Sequence, residues 1–166
     1  MQVAMTLMAQ VALVSVLFSC GAPPRGAPLY LSLSSIDGGE TNLTELRGRV
    51  VVLHIFAAWS LAAQADVPQL VALARDEPRA VVVGIGVDPE GRVVLAPWRD
   101  ANSVRYLIVS ADERLRTGGS TLGRIVQVPT TIVLDAAGRV VTRIERPLAE
   151  GELAELVRRE FQDRLD

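Results

Sequence analysis

The chain of 166 residues has no lysine: all 17 of its basic residues are arginine, set against 19 acidic ones for a net charge of -2. Schiff-base chemistry on a lysine and a phosphate-cradling lysine are therefore excluded. A balance this near neutrality also excludes a protein that reads a nucleic-acid backbone. Cysteine and histidine occur once each, as Cys20 and His54. Zinc sites built from several histidines, cysteine clusters and any intrachain disulfide are removed by that count. No internal repeat or low-complexity tract is present. The 49% hydrophobic and 22% charged residues fit a folded chain rather than a disordered one, and the length suits one domain.

The first 20 residues, MQVAMTLMAQVALVSVLFSC, carry no charge and contain all three methionines of the chain. Such an apolar stretch, ending in small residues, reads as an export signal. Leu17-Phe18-Ser19-Cys20 followed by Gly21 resembles the lipobox of bacterial lipoproteins. That resemblance implies a signal over residues 1–19 that is cut away and an acylated Cys20 that anchors the protein. No basic residue opens the apolar run, a departure from the usual signal. An uncleaved signal anchor, long enough to span a bilayer, and a plainly cleaved signal are the alternatives, and all three agree on export. Acyl chains at about 0.8 kcal/mol per buried CH₂ would hold the chain at a membrane. Residues 21–29, with three prolines and two glycines, read as a tether. The organisation expected is a signal over 1–19, a lipidated cysteine and tether over 20–29, and one domain over 30–166.

Within that domain residues 30–34 read as a short strand before the turn at Asp37-Gly38-Gly39, with 41–46 leading onward. Residues 50–56 and 80–87 are continuous β-branched runs without polar alternation, as in strands covered on both faces. Between them residues 60–75 predict a crossover helix with Ser60 as N-cap and Leu61, Leu70, Leu73 and Ala74 as its apolar positions, kinked at Pro68. Pro89 and Pro97 predict a short or irregular helix within 89–103, and 106–109 a brief strand. Residues 111–116 predict a helical turn closed by Gly118-Gly119. Residues 130–134 and 140–144 flank the turn Asp135-Ala136-Ala137-Gly138 as an antiparallel hairpin. Residues 148–165 predict a closing helix with an apolar stripe of Leu153, Leu156, Val157, Phe161 and Leu165. The class expected is α/β, a mixed central sheet with helices on both faces.

The stretch 43–70, LTELRGRVVVLHIFAAWSLAAQADVPQL, is similar to the thioredoxin-like proteins of the TlpA/ResA group, membrane-tethered thiol–disulfide oxidoreductases of the bacterial envelope. Their pattern is "L-x-x-L-x-G-K", an apolar strand, "F-W-A-x-W-C-x-x-C" and "E-x-P-x-L". Val128-Pro129-Thr130-Thr131 and Asp135-Ala136-Ala137-Gly138-Arg139 resemble the group's "V-P-T-T" and "D-x-x-G-R". The resemblance covers 30–165, and it implies a thioredoxin-like fold with a cis proline at Pro129.

At the chemistry the resemblance breaks. With Trp59 on the motif tryptophan, Ser60 and Ala63 occupy the two cysteine positions. The first cysteine of such enzymes attacks as a thiolate stabilised at a helix N-terminus, and the second resolves the mixed disulfide. Serine and alanine do neither, so dithiol exchange by this domain is excluded chemically. Peroxiredoxin-like, glutathione-peroxidase-like and copper-binding chemistry fall with it. A hydrolase using Ser60 as nucleophile and His54 as base remains as an alternative, without the G-x-S-x-G of a nucleophile elbow. More ordinary roles are an N-cap for Ser60 and a buried place under the motif helix for His54.

Gly84-Ile85-Gly86 lacks the third glycine of a dinucleotide loop, and Gly118-Gly119-Ser120 near Arg114, Arg116 and Arg124 lacks the Gly-Lys pair of a phosphate loop. No cofactor or metal is expected. The resemblance implies that Trp59, Val128 and Pro129 line a groove for extended polypeptide. Together these readings give an exported, lipid-anchored, redox-inactive binding or scaffolding module facing the periplasm or exterior. Its expected partners are an envelope protein or peptide and the membrane, with no nucleic acid. The alternative is an enzyme of the oxidoreductase family with residual activity.

Overall fold

In the run Val50–Phe56 only His54 is polar, and the strand it forms, β3, is buried along its whole length. The protein is seen here as a computed structural model that describes residues 26–162. The expected signal, Cys20 and most of the tether lie outside the described residues.

Strands β1 (Ser32–Ser35), β2 (Glu40–Asn42), β3 (Val50–Phe56), β4 (Ala80–Gly86), β5 (Leu107–Ser110), β6 (Thr130–Leu134) and β7 (Val140–Ile144) form one sheet in the order β2-β1-β5-β4-β3-β6-β7. β3, β4 and β5 are parallel, and the hairpin β6–β7 adds antiparallel to β3. The β1–β2 hairpin closes the other edge, with β1 antiparallel to β5. Central strands covered on both faces need apolar residues at successive positions, which is what the β3 and β4 sequences supply.

One face of the sheet carries Val50, Val52 and Phe56 under helix α1 (Leu61–Asp76), α2 (Arg92–Ala101) and α4 (Glu152–Gln162). The opposite face carries Val51, Leu53 and Ile55 under α3 (Glu113–Thr117) and the segments around Leu29, Leu43 and Leu122. Each fully buried aliphatic or aromatic side chain in these two cores contributes about 1.5–3 kcal/mol.

Helix α1 begins one residue after Ser60, whose Oγ accepts the Ala63 amide. Its buried face is Ala63, Asp66, Val67, Leu70 and Leu73, the i, i+3, i+4, i+7 stripe of one helix side. Leu61, expected on that side, is 80% exposed, because two residues ahead of Ala63 it falls about 200° round the helix. The helix runs through Pro68 as one element of 16 residues. α2 is a regular helix of ten residues despite Pro97, where the sequence pointed to something shorter or irregular. α4 starts at Glu152 rather than 148, after Gly151 takes a φ of 73°.

The expected tether boundary also moves. Leu29 is buried, and its amide donates to the Gly138 carbonyl at 2.8 Å, so the fold takes in the last tether residue. Among the described residues no helix is long and apolar enough to cross a membrane.

Candidate functional site

The parallel strands β3, β4 and β5 all end at one edge of the core, and the loops that leave them meet there. The loop after β3, residues 57–60, is held by several bonds. The Ala58 amide donates to Asp88 Oδ2 at 2.9 Å, the Gln64 side chain donates to the Ala58 carbonyl at 3.2 Å, and the Ser60 amide donates to the Ala57 carbonyl at 3.0 Å. Asp88 is buried and comes from the loop after β4. It fixes the loop that carries Trp59, a role no motif in the sequence signalled. Trp59 projects outward, 74% exposed.

Ser60 is buried at the N-cap of α1, and its hydroxyl oxygen accepts the Ala63 amide at 3.2 Å. Ala63 has no exposed surface and packs in the core under α1. Neither position presents a thiol, and no cysteine lies among the described residues.

His54 sits between Val52 and Phe56 on the α1 side of the sheet, fully buried. Its Nδ1 is hydrogen-bonded to Thr131 Oγ1 on β6 at 3.1 Å, and its ring stacks on Phe56 at 6.0 Å. Nε2 has no hydrogen-bond partner among the described residues. Burial pushes the imidazole down to about 4. The Ala63 backbone opposes part of that shift from a position that does not complete a hydrogen bond. His54 is thus a neutral core residue at physiological pH. No hydrogen bond joins it to Ser60 among the described residues, so the pair expected of a Ser–His hydrolase is not assembled.

A second buried polar group was not singled out from the sequence. Asp66 on α1 is buried and accepts the Leu148 amide through Oδ1 at 2.9 Å, while Oδ2 has no hydrogen-bond partner among the described residues. Desolvation raises its pKa; Glu152 adds to the rise, and the Leu148 amide and Arg146 oppose it. Burial likewise raises the Tyr106 phenol, with Asp66 adding to the effect.

The Val128–Pro129 peptide bond is cis, as the resemblance implied. Beside it lies an open groove of about 500 Å³, walled by Trp59, Val87, Ile125, Val126 and Val128 with Arg116 as its charged member. Pro129 itself is buried next to the groove and does not line it. Val126, 63% exposed, adds apolar surface that the sequence reading missed. The Val128 N–H and C=O make no hydrogen bond among the described residues. The structure therefore brings Trp59 and Val128 together at the surface, and sets Ser60, Ala63 and His54 beneath it.

A mixed seven-stranded sheet flanked by helices, with a cis proline just before β6, defines a thioredoxin-like α/β domain. The chain belongs to the AhpC/TSA family, whose sequence profile matches residues 26–143. Solved structures agree on the fold. A thiol:disulfide interchange protein of the thioredoxin family from Chlorobium tepidum TLS has a TM-score of 0.70 at 22% identity, over 84% of this chain and 99% of its own. A secreted thiol-disulfide isomerase from Corynebacterium glutamicum has 0.68 at 22% identity, over 80% and 84%. StoA from Bacillus subtilis has 0.63 at 19% identity, over 78% and 96%. No curated protein matches the sequence.

Proposed function

We propose that this protein is a membrane-tethered, redox-inactive, TlpA-type thioredoxin-like module that binds extended polypeptide of the cell envelope at the Trp59 groove. The observation that carries the reading is the Ser60–Ala63 pair. Where the resembling oxidoreductases have two cysteines, this chain has a hydroxyl engaged as a helix cap and a buried methyl group. Disulfide exchange needs a thiolate to attack and a second thiol to resolve, and the described residues, 26–162, contain no cysteine.

What survives is a surface. The groove is mainly apolar, borders the cis proline, and has at its rim a Val128 amide and carbonyl that make no hydrogen bond among the described residues. An extended chain recognised by main-chain hydrogen bonds and apolar side-chain pockets suits such a rim. Arg116 in the wall favours a segment that carries a carboxylate. The lipobox-like Cys20 supports tethering, and the secreted relative from Corynebacterium glutamicum accords with export.

The test is reduction of a protein disulfide such as insulin by the purified full chain. No turnover is expected, and turnover is expected to appear on Ser60→Cys with Ala63→Cys. Turnover by the unmodified chain would overturn the reading. For the tether, Cys20→Ser should abolish acylation, seen as loss of metabolic labelling with a fatty acid, and labelling that survives the substitution would count against Cys20 as the anchor.

A further inference from the structure

The end of the domain opposite the Trp59 groove is built from three short segments. β3 starts there at Val50, paired with Ala80, and β6 finishes there at Leu134, opposite Val51. Gly48, just ahead of β3, donates its amide to Ala136 in the β6–β7 turn at 2.8 Å. The N-terminal segment joins them, because Leu29 donates to Gly138 at 2.8 Å in the same turn. A Cβ placed on Gly138 would lie 3.8 Å from Arg47 Nε and 4.0 Å from Pro28. The chain that links the domain to its apolar N-terminal run thus enters at this end, through Pro28 and Leu29.

The same end presents Arg47, Arg49 and Arg139, all exposed. None of the three has an ion pair among the described residues, whereas Arg75 is paired with Asp76 and Arg79 with Glu77. The Asp135 carboxylate accepts the Ala137 and Arg139 amides of its own turn and is buried, and Glu45 is the exposed carboxylate of the neighbouring helical turn. Tyr30, 59% exposed, lies under the Arg47 guanidinium, which sits 5.1 Å from its ring centroid. Arginines beside an exposed tyrosine form a combination suited to the lipid–water interface.

We propose that the face made by Arg47, Arg49 and Arg139, with Tyr30 beside it, docks on an anionic phospholipid surface. The seven residues of β3 then hold the Trp59 groove about 20 Å further out, facing the aqueous phase. The proposal extends the tethered reading and borrows from it only the nearness of a membrane. Charge complementarity and the entry point of the chain select the occupant. An acidic protein would satisfy the arginines equally well but would not account for their place at the root of the tether.

The full chain is reconstituted into phosphatidylcholine vesicles and into vesicles that also contain phosphatidylglycerol, and amide hydrogen exchange is followed in residues 44–49 and 135–139. Slower exchange is expected in the anionic vesicles alone, reversed by salt as surface attraction is screened, with Trp59 still open to an aqueous quencher in both. Each arginine near an anionic surface is worth about fivefold in the docked-to-undocked ratio. Arg47→Gln, Arg49→Gln and Arg139→Gln together should therefore lower it on the order of a hundredfold, while the matching triple lysine variant keeps it. Equal exchange in both vesicle types, or protection that survives the glutamine variant, overturns the proposal. Failure to stay on phosphatidylcholine vesicles would instead count against the tether, because retention there does not depend on the arginines.

Discussion

The Ser60 hydroxyl accepts a hydrogen bond from the Ala63 amide at 3.2 Å, so the two residues that the resemblance lays on the motif's cysteine positions are bonded to each other as cap and first turn of α1. The bond gives Ser60 a structural task. Ser60→Ala is expected to lower unfolding free energy by about 1 kcal/mol, read from urea denaturation, with Ser60→Asp retaining most of it as an alternative cap. If Ser60→Ala instead abolished hydrolysis of an ester substrate, the serine would be a nucleophile and the cap account would be wrong.

His54 makes stability depend on pH in a defined window. Its folded value is about 4, against 6.5 for the free side chain. Above the upper value the ring is neutral in both folded and unfolded chains and contributes no slope. As pH falls below it the unfolded chain takes the proton first, and stability drops by up to about 1.4 kcal/mol per pH unit, on the order of 3 kcal/mol in all. Asp66 acts in the opposite sense. Its raised pKa favours the folded state most below the ordinary carboxylate value, and that contribution is lost as pH rises through the folded one. Unfolding free energy measured from pH 7 to 4 should therefore fall less steeply in His54→Gln and more steeply in Asp66→Asn. An unchanged acid limb in His54→Gln would show that the imidazole is protonated inside the fold.

The glycines at 84 and 86 illustrate how far the sequence could be read. Gly84-Ile85-Gly86 lacks the full dinucleotide pattern, and the structure gives both residues a packing task on β4. A Cβ on Gly84 would come within 2.6 Å of Ile108 Cδ1 and 3.2 Å of both Phe56 and Tyr106, and one on Gly86 would run into Leu95. Gly84→Ala should cost about 1–3 kcal/mol through overpacking, visible as a lower denaturation midpoint. A neutral result would mean the Ile108 side chain turns aside freely.

β3 and the β6–β7 hairpin were legible because continuous β-branched runs and a D-x-x-G turn are local signals, and β3 and both hairpin strands keep the bounds read from sequence. The start of α4 was not. Apolar periodicity carries on to Leu148, but there the chain is held by a long-range contact, its amide donating to Asp66 across 82 positions. His54–Thr131 and Ala58–Asp88 are equally non-local. For the site, motif order pointed to Trp59, Ser60, Ala63 and Val128, and the structure sets Trp59 and Val128 on one groove with Ser60 capping α1. Val126 and Asp88 have no such signature, because their roles arise from how two loops meet.

Trp59 separates binding from folding. A side chain 74% exposed contributes little to the core, so Trp59→Ala should leave stability within about 0.5 kcal/mol. Aromatic anchors in a recognition groove commonly carry 2 kcal/mol or more of binding energy, which corresponds to about a 30-fold loss of affinity. Titration of a short valine- and leucine-rich peptide with an acidic residue, followed through amide shifts of residues 125–128, would read both the contact and its loss. Arg116→Gln should weaken the same peptide less, and have no effect once the acidic residue is replaced by glutamine. Saturable shifts of the same size in wild type and Trp59→Ala would place recognition elsewhere on the domain and leave the exposed tryptophan without a role in it.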